Sequence, residues 1–298
     1  DEFTKRYLLP YIQTILTETQ PEIIIAFQPA SAKNLLCDLE TKIPVITMSH
    51  GDPEDYFHTY PTAELPALSK STVCQVLLPS FAKHLKNHLP DVRVEVIGNV
   101  VPQYNEQADL TCEKDLYKVF FVGRMVRNHK RPHLLIGAFA KIAAEFPDWT
   151  LELWGAEDNK RYQKELQRMI DGAGLTKRVL FCGTTKNVAS VLQNADLYAM
   201  PSAYEGFGLS LAEGMSMGLP AVGYQNCVAV NELIHDGENG FLADDGVEPL
   251  AEKMAFLMRD RDLRVKMGMA ARESMRVYAP ENIWAQWEEL MERVVSHR

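Results

Sequence analysis

The chain has 298 residues, 46% of them apolar, and a net charge of −9. That is enough apolar material for one large domain or two ordinary ones. The acidic balance argues against a nucleic-acid partner, whose phosphates demand a basic face, and leaves a peripheral membrane contact only to a local basic patch.

In chain order, short apolar runs alternate with longer helical patterns. The first four runs are "EIIIAF" (22–27), "PVITMS" (44–49), "QVLLPS" (75–80) and "RVEVIG" (93–98). His50 ends the second, where the carboxyl edge of a sheet is expected; a lone histidine there is more often structural than catalytic. The segment "GNVVPQYNEQADLTCEKD" (98–115) is polar, carries Pro102 and has no periodicity, so it reads as a linker. Five further runs follow: "YKVFFVG" (117–123), "WTLELWG" (149–155), "RVLFCG" (178–183), "ADLYAMPS" (195–202) and "PAVGY" (220–224).

Between them, Leu134, Leu135, Ala138, Phe139, Ile142, Ala143 and Phe146 fall at helical spacing after Pro132. A second helix, "KRYQKELQRMIDGAGL" (160–175), is stopped by Gly172 and Gly174. A third, "ENIWAQWEELMERVV" (281–295), carries an apolar stripe of Trp284, Trp287, Leu290, Met291 and Val294. Near-continuous apolar strands separated by helices predict parallel sheets covered on both faces. The fold class is therefore α/β, with two doubly wound Rossmann-like domains and an interdomain cleft. The boundaries expected are 1–104 and 105–280, with a terminal helix over 281–298.

Cys37, Cys74, Cys112, Cys182 and Cys227 are scattered and never paired as C-x-x-C. They read as thiols of a reducing compartment, so a cytoplasmic location is expected. No His, Cys and carboxylate cluster has metal-ligand spacing, and "DRD" (260–262) sits in a helix-like tail and not after a strand. No metal is expected. His58, His84, His88, His129, His133, His235 and His297 are given only structural roles.

The chemistry concentrates in "SAYEGFGLSLAEGMSMGLP" (202–220). Gly206 and Gly208 permit a tight turn at a strand's carboxyl edge, where open α/β sheets bind ligands. The helix that follows offers unpaired N–H groups to phosphate or sugar oxygens. Glu205 precedes it and Glu213 lies one and a half turns inside, and both carboxylates accept hydrogen bonds from hydroxyls. Spacing alone equally admits that Glu205 caps the helix and Glu213 faces solvent. In "FFVGRMVRNHKRPHLLIGAF" (120–139), Arg124 follows the strand-ending Gly123, and Lys130 stands at the next helix mouth. Cations there suit a diphosphate. Arg127 and Arg131 read as solvated surface cations.

These pieces resemble, in order, the nucleotide-sugar domain of the retaining glycosyltransferase family four, with the GT-B fold. The matching segments are "FVGRMVRNHKRPHLLIGAF", "LELWGAEDNKRYQKELQRMIDGAGLTKRVLFCG", "NADLYAMPSAYEGFGLSLAEGMSMGLPAV" and "NELIHDGENGFL". "PVITMSHGD" and "VEVIGNVVP" look like segments of the first domain, and the last helix like one that crosses back to it.

The resemblance implies that Arg124 and Lys130 hold the diphosphate of a nucleotide-sugar donor. It implies that Glu205 contacts the transferred sugar, with backbone groups of Gly206, Phe207, Gly208 and Leu209. Glu213 would bind the ribose, the base would lie near Thr184, and His50 would reach the sugar from the first domain. No cofactor or metal is implied, and the acceptor would be a glycan or glycolipid. The implied mechanism is front-face and retaining, with cations stabilising the leaving diphosphate.

"YQNCVAVNELI" (224–234) departs from the family's glycine- and proline-containing pattern, which bears on sugar choice. The first domain also looks short. Roughly 70 to 100 residues are expected to be missing by comparison with a complete doubly wound domain, and such a chain would bind donor yet transfer poorly. The alternative functions are a non-catalytic partner subunit of the same fold, and a nucleotide-sugar epimerase or hydrolase.

Overall fold

The computed structural model describes residues 2–58 and 62–296. The chain forms two compact units, Asp1–Asn99 with Glu281–Arg298, and Val100–Pro280.

In the first unit, strands β1 (Ile24–Ala26), β2 (Val45–Ser49), β3 (Val73–Val76) and β4 (Val94–Val96) lie in that order, all parallel. The α-helices between residues 1 and 99 are α1 (Leu9–Thr19), α2 (Pro29–Lys33), α3 (Glu54–His58), α4 (Leu65–Lys70) and α5 (Pro79–His88) among the described residues. Strand β3 begins two residues before the run read from the sequence. Val73, Cys74, Gln75 and Val76 are all buried, and Pro79 already opens α5. Proline at a first helical position costs no hydrogen bond, which fixes that start.

The second unit holds β5 (Tyr117–Val122), α6 (Pro132–Ile142), β6 (Trp149–Trp154), α7 (Lys160–Gly172), β7 (Val179–Gly183), α8 (Val188–Leu192), β8 (Leu197–Met200), α9 (Leu209–Ser216), β9 (Ala221–Tyr224), α10 (Val228–Leu233), β10 (Gly240–Ala243), α11 (Val247–Arg259) and α12 (Arg261–Ser274). Its six parallel strands run β10-β9-β8-β5-β6-β7. Val119, Phe121, Leu151, Leu153, Leu197 and Val222 build the sheet's share of one core, closed by Leu135 and Phe139 of α6 and Leu250 and Met254 of α11. The chain leaves β5 in one direction and returns on its other side at β8. The carboxyl ends of β5 and β8 therefore flank the topological switch point, where such sheets open a crevice.

The segment read as a linker packs on this unit. Val101 N–H donates to Tyr278 O at 2.9 Å, Ala108 N–H to Met217 O at 2.9 Å, and Val101, Ala108 and Leu110 are buried. The last helix, α13 (Pro280–Ser296), buries Ile283, Leu290 and Val294. Trp284 stays 59% exposed, so the stripe read from the sequence is only partly a packing face. With Trp287 and Met291 it lines an open apolar groove beside Ile25, Phe27 and Met48. No described helix is long and apolar enough to cross a membrane.

Candidate functional site

The loop after β5 and the loop after β8 meet at the switch point. Gly123 follows the last residue of β5, and its N–H donates to Trp154 O at 2.8 Å. Gly155 crosses close by with φ +145°, and a Cβ there would stand 1.9 Å from Gly123 O. Only glycine fits that approach.

Arg124 then projects outward, 65% exposed, with Asp158 Oδ1 3.9 Å away. Lys130 turns inward. Its side chain is 14% exposed and its Nζ donates to Glu205 Oε1 at 2.5 Å, where Glu205 is only 7% exposed. The structure thus brings together two residues that the sequence assigned to different parts of a ligand. It does not use Glu205 as a helix cap. Gly208 occupies the cap of α9 in the left-handed region at φ +80°, and no side chain caps the helix. The first N–H groups of α9 stay available, as Leu211 and Ala212 are the first to bond Gly208 O.

Contacts from His129, Ala203 and Arg131 hold the Lys130–Glu205 pair in place. Ala203 N–H donates to His129 O at 2.8 Å. The His129 ring stacks on Tyr204 at 4.3 Å and 3°, with Nε2 3.8 Å from Glu205 Oε2. Arg131 donates to Pro201 O at 2.9 Å, Ser202 O at 3.1 Å and Asp245 at 2.9 Å, and lies 4.7 Å over the Tyr224 ring. Arg131 is therefore no solvated surface cation. It uses its planar fork to lock the strand end that carries Glu205. Arg127 fits its surface reading better, half-exposed, paired with Glu165 and 4.8 Å over the Tyr162 ring.

Burial raises the Glu205 carboxyl, but His129 and Lys130 outweigh it and hold it down at about 2. Glu205 is a carboxylate at any physiological pH. Glu213, inside α9, is pushed up by burial. Its charge in turn adds to the burial that lifts the Tyr104 hydroxyl to about 12. Tyr104, Asn187, Ser190 and Met217 line a cavity of about 310 Å³.

Phe207 is buried against Tyr278, with ring centroids 5.0 Å apart, and Leu209 is half-exposed at the first position of α9. Thr184 is exposed in the loop after β7. Cys227 is buried before α10, its thiol lifted to about 11 by that burial, with Glu205 adding to the rise.

His50 belongs to the first unit, at the carboxyl end of β2. Its ring stacks on Phe27 at 5.5 Å, and it lines a cavity of about 320 Å³ with Gln28, Asp52, Tyr56 and Glu64. His297 lies outside the described residues.

Sequence reasoning missed His129, Arg131 and Tyr104 as neighbours of the two glutamates. The signal for Arg131 was its place at the α6 mouth, where φ is +47°. Nothing in the linker's pattern singled out Tyr104.

Residues 103–274 match the family model described as glycosyl transferases group 1. An exopolysaccharide phosphotransferase of Streptomyces coelicolor is 32% identical over 209 residues, covering 69% of this chain and 21% of its own length. A poly(ribitol-phosphate) alpha-N-acetylglucosaminyltransferase of Staphylococcus aureus is 24% identical over 285 residues, covering 93% of this chain and 56% of its own. The chain thus spans less than two thirds of either relative. The crystal structure of Anabaena HepE in complex with UDP shares the fold at a TM-score of 0.80 and 20% identity, over 95% of this chain and 81% of that one. With its second unit matched nearly end to end, the chain belongs to the glycosyl transferases group 1.

Proposed function

We propose that the chain carries the donor site of a retaining glycosyltransferase. It would move a hexose-type sugar from a UDP- or GDP-sugar to a glycan or glycolipid acceptor, with no metal in the donor site. The observation that carries this reading is the Lys130–Glu205 pair spanning the switch point, 2.5 Å apart beside the open N-terminus of α9. A buried cation at that point suits a diphosphate, and the carboxylate next to it suits sugar hydroxyls. Exposed Arg124 supplies a second cation, and half-buried Glu213 beside Tyr104 supplies the ribose acceptor. The Staphylococcus relative's name and the UDP in the Anabaena structure support the same chemistry. All five cysteines are free, which agrees with work in the cytoplasm, facing the membrane when the acceptor is a lipid.

In the reaction, the bond from the sugar's anomeric carbon to the diphosphate breaks. A bond to the acceptor oxygen forms on the same face, and the acceptor proton passes to the departing phosphate oxygen. Lys130 and Arg124 stabilise the charge that grows there. The test is release of UDP or GDP from a panel of nucleotide sugars, with and without glycan acceptors. Turnover by the parent chain and its loss in Glu205→Ala support the reading. Turnover unchanged in Glu205→Ala overturns the role given to that carboxylate.

A further inference from the structure

The first unit brings His88 of α5 against two side chains of α3, Glu54 and His58. Glu54 and His58 stand one turn apart on α3, and His88 closes α5. Glu54 Oε1 is 3.1 Å from His58 Nε2 and 3.1 Å from His88 Nε2, and the second carboxylate oxygen is also 3.1 Å from His88. One ligand atom from each residue lies within 4.8 Å of the other two. From the geometry we infer that Glu54, His58 and His88 form a three-ligand site for one zinc-class divalent cation, which ties α3 to α5.

Bonds of about 2.0–2.1 Å in tetrahedral geometry place neighbouring ligand atoms about 3.3 Å apart. Both Glu54–imidazole separations, 3.1 Å, lie within about 0.2 Å of that spacing, and the two imidazole nitrogens are within 4.8 Å of each other. Two imidazoles and one carboxylate are donors suited to zinc, and three protein ligands leave a fourth position for water. Entry is direct, since the His58 side chain is 68% exposed.

The surroundings aim the ligands. Phe57 stacks on the His88 ring at 3.9 Å and 12° and fixes its plane. Asp52 Oδ1 accepts the Glu54 N–H at 2.9 Å and also faces His84 Nδ1 at 2.8 Å, which sets the start of α3. Such outer contacts orient metal ligands. Without a metal, the same residues make a hydrogen-bonded cluster in which two imidazoles share one carboxylate. The cation would replace that sharing with direct bonds and fix the stretch that follows His50.

The experiment is calorimetric titration of the untagged whole chain with zinc chloride at neutral pH. Single variants His58→Ala, His88→Ala and Glu54→Gln are compared with His235→Ala, a control in the second unit. Far-UV circular dichroism checks that each variant is folded. The account expects one equivalent of zinc in the parent and control. It expects affinity at least about tenfold weaker in each ligand variant. A rise in melting temperature with zinc should vanish in the same three variants. Absence of a stoichiometric site in the parent overturns the inference, as does binding unchanged in folded His58→Ala and His88→Ala.

Discussion

Replacing Glu205 with glutamine keeps the shape of the side chain and removes its charge. The Lys130 ammonium, 14% exposed, is then left buried without its partner. The magnitude follows from the carboxyl's own titration, since Glu205 sits at about 2 in the folded chain against 4.5 unperturbed. That gap favours the folded state by about 3 kcal/mol at neutral pH. A depressed carboxyl stabilises fully above its unfolded value and loses that effect as pH falls toward its folded value. At about pH 3 the same arithmetic leaves roughly 1.5 kcal/mol. Urea unfolding of the parent and Glu205→Gln at both pH values measures the difference directly. The parent should lead by about 3 kcal/mol at about pH 7 and by roughly half that at about pH 3. A lead that does not shrink with acid, or no lead at neutral pH, would refute the assignment of Glu205 as a buried, ion-paired carboxylate.

Other consequences are open to simpler measurement. Arg131→Ala leaves the Pro201 and Ser202 carbonyls without their guanidinium and uncovers the Tyr224 ring. It should cost about 2–4 kcal/mol in denaturant unfolding, and Arg131→Lys should recover little, because an ammonium cannot fork. Gly155→Ala puts a methyl 1.9 Å from Gly123 O, at a φ that side chains rarely adopt. Its melting temperature should fall by several degrees, equivalent to about 2 kcal/mol or more, and an unchanged melting curve would contradict the close crossing of the two loops.

How much of this was legible in the sequence depended on the kind of contact. Runs such as "VFFV" and "LELW" announced their strands because both faces of those strands are buried, so apolar residues follow one another without alternation. Strand β10 went unseen. Its four residues, Gly240–Ala243, include a glycine and two half-buried positions, too weak a pattern to read. The cation and carboxylate segments stood out by their glycines and strand-end positions. Their pairing did not, because 75 residues separate Lys130 from Glu205 and only the sheet order joins them. Arg131 was read as solvated since a charged residue beside a loop usually is, whereas the fold supplies it with two carbonyls, a carboxylate and a ring. The helix stripe at Trp284 shows the converse. Helical spacing finds the apolar face, but only the packed structure tells which part of it is covered.

The central claim is that the crevice between β5 and β8 binds a nucleoside diphosphate through Arg124 and Lys130. Arg124 offers the cleanest test. Its side chain is 65% exposed, with Asp158 Oδ1 at 3.9 Å, so Arg124→Ala should leave stability within about 0.5 kcal/mol of the parent. Calorimetric titration of the parent and Arg124→Ala with UDP, GDP and their sugar conjugates is the decisive measurement. The account predicts saturable binding of at least one of these by the parent, weakened at least about tenfold in the folded variant. Equal affinity in the two chains, or no binding of any nucleotide by the parent, would contradict it.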